Sequence, residues 1–312
     1  MRKIIGIGET ILDIIFKQEQ PTAAVPGGSV FNSLITLGRL GLNASFISET
    51  GNDKAGKIVM NFLKENGVDN SHVCIYKDGR TPVSLAWLNE NNDAEYEFFK
   101  DYPKARLEGE WPDINQDDVV LMGSYFILNP VLRPKVKLFL EYARKNGALI
   151  YYDFNFRNTH AAEAKQLYDT LIENIDYADI VRGSTEDLHN MFAQSTGMDD
   201  AEQIYNKIVS RHCCNMICTD GGNNVKLFTP NFKKEYGVKD VESVSTIGAG
   251  DSFNAGIAYG VCTENVKRAD LNNLTEEKWD YIIRCAGDFS AEVCKSFENY
   301  ISKDFAKQYK QH

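Results

Sequence analysis

Ser245-Thr246-Ile247-Gly248-Ala249-Gly250-Asp251-Ser252-Phe253-Asn254-Ala255-Gly256 places two glycines and an acid where a helix is expected to begin. Beyond it Phe253, Ala255, Gly256, Ile257, Ala258 and Gly260 recur at helical spacing, so the Gly248, Ala249 and Gly250 amides are expected as free donors at a helix N-terminus. Such a terminus attracts anions, phosphate above all. Asp251 would lie within reach of a hydroxyl delivered to that anion, the arrangement that phosphoryl transfer to an alcohol requires. The plainer alternative is an acid that only complements a helix dipole, because short glycine motifs also arise by chance.

The rest of the chain sets bounds on that reading. With 312 residues, 43% hydrophobic and 25% charged, it can bury a large core as one α/β domain or two smaller ones. A formal charge of −10 argues against nucleic acid and anionic membranes as partners and favours a small substrate. Any polyphosphate bound here has to be neutralised locally, by Mg2+, backbone amides and a few cations. Met1-Arg2-Lys3-Ile4-Ile5 starts like a signal peptide, but Glu9 and Asp13 interrupt the apolar run, and no stretch is long enough to span a bilayer. Seven cysteines without a CxxC pair read as thiols of a reducing compartment, so a cytoplasmic location is expected. Cys213, Cys214 and Cys218 lie near His212, yet their apolar strand pattern favours core packing over a metal site.

Alternation of short apolar runs with helical periodicity predicts strands at 3–8, 44–48, 119–123, 148–153, 179–181 and 216–219. Helices are predicted at 29–40, 53–66, 131–146, 161–175, 202–210, after Gly250 and at 276–296. Parallel strands joined by crossover helices, a doubly wound sheet with helices on both faces, are the economical assembly. Two segments break the rhythm: 11–17 alternates as a strand, and 83–88 with 95–100 reads as a hairpin across the polar turn Glu90-Asn91-Asn92-Asp93. They are expected to form a small β lid, 11–23 and 83–103, beside the carboxyl ends of the strands of a core comprising 1–10, 24–82 and 104–312. An edge extension of the main sheet is the alternative.

Two motifs mislead. Gly51-Asn52-Asp53-Lys54-Ala55-Gly56-Lys57 fits a P-loop pattern, but Ile58 stands where a Mg2+-binding hydroxyl is needed, and Asp53 reads as a helix N-cap. Gly6-Ile7-Gly8-Glu9-Thr10-Ile11 lacks the third glycine of the dinucleotide fingerprint, and a strand follows instead of a helix.

Taken in order, Gly6-Ile7-Gly8-Glu9 with Asp13, Pro26-Gly27-Gly28-Ser29-Val30-Phe31-Asn32, Gly51 to Gly56, Asp153-Phe154-Asn155-Phe156-Arg157, Glu186, Thr219-Asp220-Gly221 and Gly248-Ala249-Gly250-Asp251 resemble the ribokinase-like, PfkB-type carbohydrate kinases nearly end to end. The resemblance implies an ATP-dependent sugar kinase of that fold, with Asp251 as the base and the Gly248, Ala249 and Gly250 amides as the anion hole. A helix N-terminus should lower the pKa of Asp251. Asp13, Gly27, Gly28 and Asn32 resemble the sugar-binding positions, a carboxylate and an amide reading a diol where glycines permit close approach. Arg157 is expected on phosphate oxygens or an acidic sugar, Thr219 and Gly221 around the nucleotide phosphates, and Glu186 on Mg2+ through water.

Three positions depart from the family pattern. Gly183 replaces the asparagine usual three residues before the glutamate, Asn224 replaces a glycine after Thr219-Asp220-Gly221, and Ser245 replaces an aspartate that in several members helps bind a monovalent cation, so potassium activation does not follow. The opening Gly8-Glu9 with Asp13 and the ending Phe98-Phe99-Lys100-Asp101 look most like the fructokinase branch. A 2-keto-3-deoxygluconate kinase, its carboxylate held by Arg157, Lys100 or Arg106, is the runner-up, followed by ribose and nucleoside kinases. A sugar-binding sensor without turnover is the non-enzymatic alternative, and the assembly is a monomer or a homodimer through the lid.

Overall fold

The computed structural model describes residues 2–89 and 94–310. The main sheet has ten strands, named in chain order with those of a smaller sheet: β1 (Lys3–Ile7), β4 (Asn43–Gly51), β5 (Val68–Asp69), β6 (Val73–Tyr76), β9 (Val119–Gly123), β10 (Leu149–Asp153), β11 (Ile180–Ser184), β12 (Asn215–Asp220), β13 (Asn224–Phe228) and β14 (Lys233–Gly237). Their order is β14-β13-β12-β11-β10-β9-β1-β4-β5, with β6 also on β4. From β11 through β4 every pairing is parallel, and β13 and β14 add an antiparallel edge that the sequence reading had not resolved.

The central strands VVLMG and LIYYD are buried along their whole length, as strands covered on both faces must be. Alternation then builds two cores: Leu121 and Tyr151 face the helices Ser29–Arg39, Ala249–Thr263 and Glu276–Val293, while Val120, Met122, Ile150 and Tyr152 face Arg133–Lys145 and Ala164–Tyr177. The chain leaves β1 toward β4 on one side and returns as β9 on the other. This is a topological switch point, and α/β proteins place ligands at the carboxyl ends of the strands there.

A separate four-stranded sheet, β3-β2-β7-β8, is formed by β2 (Ile11–Lys17), β3 (Gln20–Gly27), β7 (Arg80–Leu88) and β8 (Ala94–Asp101). β2 lies parallel to β7, and β3 and β8 close the two sides antiparallel. It is a sheet of its own rather than an extension of the main one. The expected hairpin is present, although its turn at 90–93 lies outside the described residues. β3 was not evident in the sequence, because Gln20-Pro21-Thr22-Ala23-Ala24 carries neither β-branched alternation nor apolar weight. Register puts Asp13, Ser84 and Phe98 on one face with Ala86 and Tyr96.

The P-loop look-alike is a helix start. Asp53 caps Lys54–Glu65 by accepting from the Gly56 amide at 2.8 Å, so Gly56 and Lys57 lie inside the helix. The cysteines are all free, Cys213 and Cys218 being buried, and among the described residues no group of three or more His, Cys, Asp or Glu side chains could hold a metal ion. No helix among the described residues is long and apolar enough to cross a membrane.

Candidate active site

The quoted glycines open a helix as expected. Ala249–Thr263 is capped by Gly248 in the left-handed conformation (φ 79°), which a side chain would strain. The first i−4 bond runs from the Ser252 amide to the Gly248 carbonyl at 2.8 Å, so the amides before it have no partner within the helix. One of them is engaged elsewhere: the Ala249 amide reaches the Thr246 carbonyl at 3.2 Å. Residues 248–251 are all partly exposed, which leaves this N-terminus open to a ligand.

Asp251 meets the next predicted residue directly. Asn32, on the first turns of Ser29–Arg39, donates from Nδ2 to Asp251 Oδ2 at 2.8 Å, and Ser33 Oγ donates to the Asp251 carbonyl at 2.8 Å. The two helices that carry glycine starts are thus joined through the acid. Asn32 Oδ1 is buried without a partner among the described residues. It lies on the side of Gly27, where an added Cβ would stand 2.8 Å from Asp13 Oδ2 and 4.0 Å from Asn32 Oδ1. Gly28 takes a φ of 127° with the Glu9 carbonyl against it, so only glycine turns the chain from β3 into the helix. Asp13 is hydrogen-bonded by the Ser84 hydroxyl of the neighbouring strand.

Both carboxylates hold their protons more tightly than usual. Burial pushes Asp251 up to about 6, against the opposing pull of the Asn32 amide and the Arg157 charge. That reverses the expected lowering, because desolvation by the helices packed around the acid outweighs the few amide dipoles at the terminus. Asp13 is likewise raised to about 6 by burial, with the Ser84 bond opposing and Glu9 adding to the rise. Tyr96 on β8 is raised to about 12, by burial first and then by the charge of Asp13, which brings the small sheet into the same electrostatic neighbourhood.

Arg157 is exposed beyond the end of β10, close enough for its charge to act on both Asp251 and Tyr96. Glu186 is exposed on the first turn after β11, and its carboxylate makes no hydrogen bond or ion pair among the described residues. Thr219 is buried at the end of β12, and Gly221 follows in the turn to β13 with nothing within 4 Å of an added Cβ. Thr219 accepts from Arg182 Nη2 at 2.7 Å, and Arg182 pairs through Nη1 with Asp153 at 3.1 Å. Asp153 opens the Asp153-Phe154-Asn155-Phe156-Arg157 stretch, whereas Arg182 belongs to none of the motifs.

Other expectations change. Lys100 is tied to Glu9 at 2.7 Å, and the buried Arg106 is paired with Glu49 beneath the Tyr102 ring, so neither is free to hold a substrate carboxylate. Tyr96, Phe98 and Phe99 on β8 are 41%, 51% and 51% exposed. The Gly183 departure has a local cause. An added Cβ would stand 2.6 Å from the Phe154 ring, so the phenylalanine of β10's continuation occupies the place an asparagine would take. Ser245 is buried and caps the Ile247 amide at 3.2 Å, and Asn224 begins β13 with its amide on Glu235 at 2.9 Å.

Comparison with known proteins gives the same picture. A 5-dehydro-2-deoxygluconokinase of Geobacillus thermodenitrificans is 28% identical over 244 residues, covering 75% of this chain and 72% of that protein. A probable fructokinase of Arabidopsis thaliana is 24% identical over 287 residues, covering 88% and 81%. Among solved structures, a fructokinase double mutant from Vibrio cholerae O395, crystallised with fructose, ADP and a potassium ion, superposes with a TM-score of 0.81 at 20% identity, over 96% of this chain and 94% of that one. The family model described as pfkB family carbohydrate kinase matches residues 1–302, and with a ribokinase-like fold and two glycine-started helices meeting at one acid, the chain belongs to that family of phosphotransferases.

Proposed function

We propose that the chain transfers the γ-phosphoryl group of ATP to a hydroxyl of fructose, with Asp251 as the base. The observation that carries this reading is the 2.8 Å bond between Asn32 and Asp251, which joins a polar pocket to a helix N-terminus. Asp13 and the unpartnered Asn32 Oδ1 accept from sugar hydroxyls, and Gly27 lets the ring approach the backbone. One of those hydroxyls then points at Asp251. With its pKa near 6 the acid is ionised at neutral pH, yet takes a proton more readily than an ordinary carboxylate as the oxygen attacks. The Gly248 and Gly250 amides, with Ala249 sharing its own, face the charge on the group in flight.

Nucleotide and metal fit the residues present. Thr219 and Gly221 border the phosphates, and Arg157 supplies an exposed cation beside them. Mg2+ is held in kinases largely by phosphate oxygens and water with one or two carboxylates, and the unengaged Glu186 suits that demand through water. When bound, the ion offsets phosphate charge. The small sheet (11–23 and 83–103) serves as a lid whose inner face brings Asp13 and Tyr96 over the sugar and keeps water from the phosphoryl group.

A second acceptor is favoured by the 28% identical 5-dehydro-2-deoxygluconokinase together with exposed Arg157, which suits a keto-deoxy acid. ADP release measured with ATP, Mg2+ and fructose, 5-dehydro-2-deoxygluconate or 2-keto-3-deoxygluconate decides between them. The highest kcat/KM is expected for fructose; a clear preference for either keto-deoxy substrate moves the assignment. Sugar binding by thermal shift without any phosphorylated product would instead identify a sensor.

A further inference from the structure

The strands behind the helix N-terminus hold a charge that no motif marks. Arg182 is 8% exposed, and its guanidinium is clamped from both sides, by Asp153 Oδ1 at 3.1 Å and by Thr219 Oγ1 at 2.7 Å. The three residues belong to three adjacent strands, β10, β11 and β12, at the carboxyl ends where the sheet meets its ligands. Its Nη1 and Nη2 stand 3.2 and 3.3 Å from where a Cβ on Gly250 would lie, so glycine at this position is what lets the guanidinium reach the first turn of Ala249–Thr263.

The clamp leaves donors over. The bonds to Asp153 and Thr219 use two of the five N–H groups, and Nε is buried with no partner among the described residues. Burial alone would make such an ion pair an expensive ornament, because hydrophobic packing often stabilises a core better. Here the pair is also a fixed dipole with its positive end toward Gly250, in a chain whose net charge of −10 otherwise repels phosphate. Arg157, the other cation near Asp251, is exposed and so more strongly screened.

We propose that Arg182 is a positioning residue for phosphoryl transfer: held by Asp153 and Thr219, it fixes the first turn at Gly250 and turns a buried positive charge toward the phosphoryl group as charge develops on it. The inference rests on the placement of that group at the N-terminus of Ala249–Thr263. It names Gly250 as a contact surface for Arg182 as well as an amide donor, and Thr219 as a link between the nucleotide loop and that helix.

The test removes the charge without stranding its partner. Asp153→Asn with Arg182→Gln keeps two polar side chains of similar size and should fold; kcat is expected to fall about 10- to 100-fold, less than the roughly 10²- to 10³-fold for loss of a donor in direct contact because Arg182 acts from behind Gly250, while the sugar KM stays within twofold. Affinity for ADP with aluminium fluoride should fall more than affinity for ADP alone. Arg182→Lys, which keeps a charge beside Asp153, should retain more kcat than the neutral pair. Should the neutral pair fail to fold, Thr219→Val removes one arm of the clamp with every charge in place and is expected to lower kcat at unchanged sugar KM. A kcat within threefold of the parent in the neutral pair or in Thr219→Val, or a lysine variant slower than the neutral pair, overturns the inference. Asp251→Asn separates the two readings: if it retains parental turnover the placement of the phosphoryl group is wrong, whereas an inactive Asp251→Asn beside a fully active neutral pair defeats Arg182 alone.

Discussion

Two polar clusters meet at the N-terminus of Ala249–Thr263, and they differ in what opposes the desolvation of their acids. On the side of Asn32 and the small sheet, Asp13 and Asp251 are desolvated with only hydroxyl and amide partners, Ser84 and Asn32, and both are pushed up to about 6. On the strand side burial raises Asp153 as well, but there a guanidinium 3.1 Å away opposes the rise and ties the acid into an ion pair. A carboxylate held by neutral donors keeps its proton within reach of neutral pH and is suited to exchange it. One paired with arginine is engaged with a set partner, which suits it to orient. The contrast teaches that burial raises all three acids, while the nearest partner sets whether the carboxylate is left open to a proton or engaged in a pair.

The comparison breaks first at Asp251. Replacement by asparagine is expected to cost about 10² to 10⁴ in kcat, the range for a lost general base, with sugar affinity nearly kept; a variant within threefold of the parent would show that the acid is no base. Next comes a difference of sign. Asp153→Ala, which leaves Arg182 buried and unpaired, is expected to destabilise by about 3–5 kcal/mol in denaturant melts, whereas Asp251→Asn should stabilise.

The size and pH range of that gain follow from the raised pKa. Because the folded state holds the Asp251 proton up to about 6 while an unfolded carboxyl releases it near 3.8, folding takes up a proton between those values, and stability falls as pH rises through the window. The penalty is complete above pH 6. Asp251→Asn should therefore raise the melting temperature at pH 8, by an amount equivalent to at most about 3 kcal/mol, and lose the advantage as pH approaches 4. Over the same range kcat/KM of the parent should decline below about pH 6, with Asp13 titrating alongside and Glu9, Asp153, Arg157 and Arg182 supplying the surrounding charges. A flat profile from pH 5 to 8 would contradict the burial argument.

The smallest effect tests the strand side by shape. Gly183→Asn restores the residue usual in the family but drives it into the Phe154 ring, 2.6 Å from an added Cβ, and should cost about 1–3 kcal/mol of overpacking. Phe154→Leu in the same chain should recover part of that loss; a double variant no better than Gly183→Asn would mean that the phenylalanine is not the obstacle.

Much of this was legible in the linear chain. Apolar runs such as VVLMG and LIYYD, the cap at Asp53 and the glycine turns before Ser29 and Ala249 are local signals, each written within a few residues, and they yielded the parallel sheet and its helices. β3 escaped because its residues have little strand propensity of their own and are held by pairing with β2. The antiparallel β13 and β14 were missed for a similar reason: in β14, Lys233-Lys234-Glu235-Tyr236-Gly237 is charged and half exposed at a sheet edge, with no apolar stripe to announce it.

What the amino-acid order determined by itself was the set of elements and the identity of the groups that could react, because turns, caps and periodicity act between near neighbours. Tertiary structure alone decided the electrostatic character of those groups. Whether Asp251 would be pulled down by a helix terminus or pushed up by desolvation depended on Asn32, Arg157, Asp153 and Arg182, all distant in sequence. Whether Arg182 was a strand-end cation or a clamped charge beneath Gly250 depended on strands β10 and β12 and on a helix that begins some seventy residues later. Charge interacts through space and its strength is set by how much water is excluded, so its consequences appear only once the chain has folded around it.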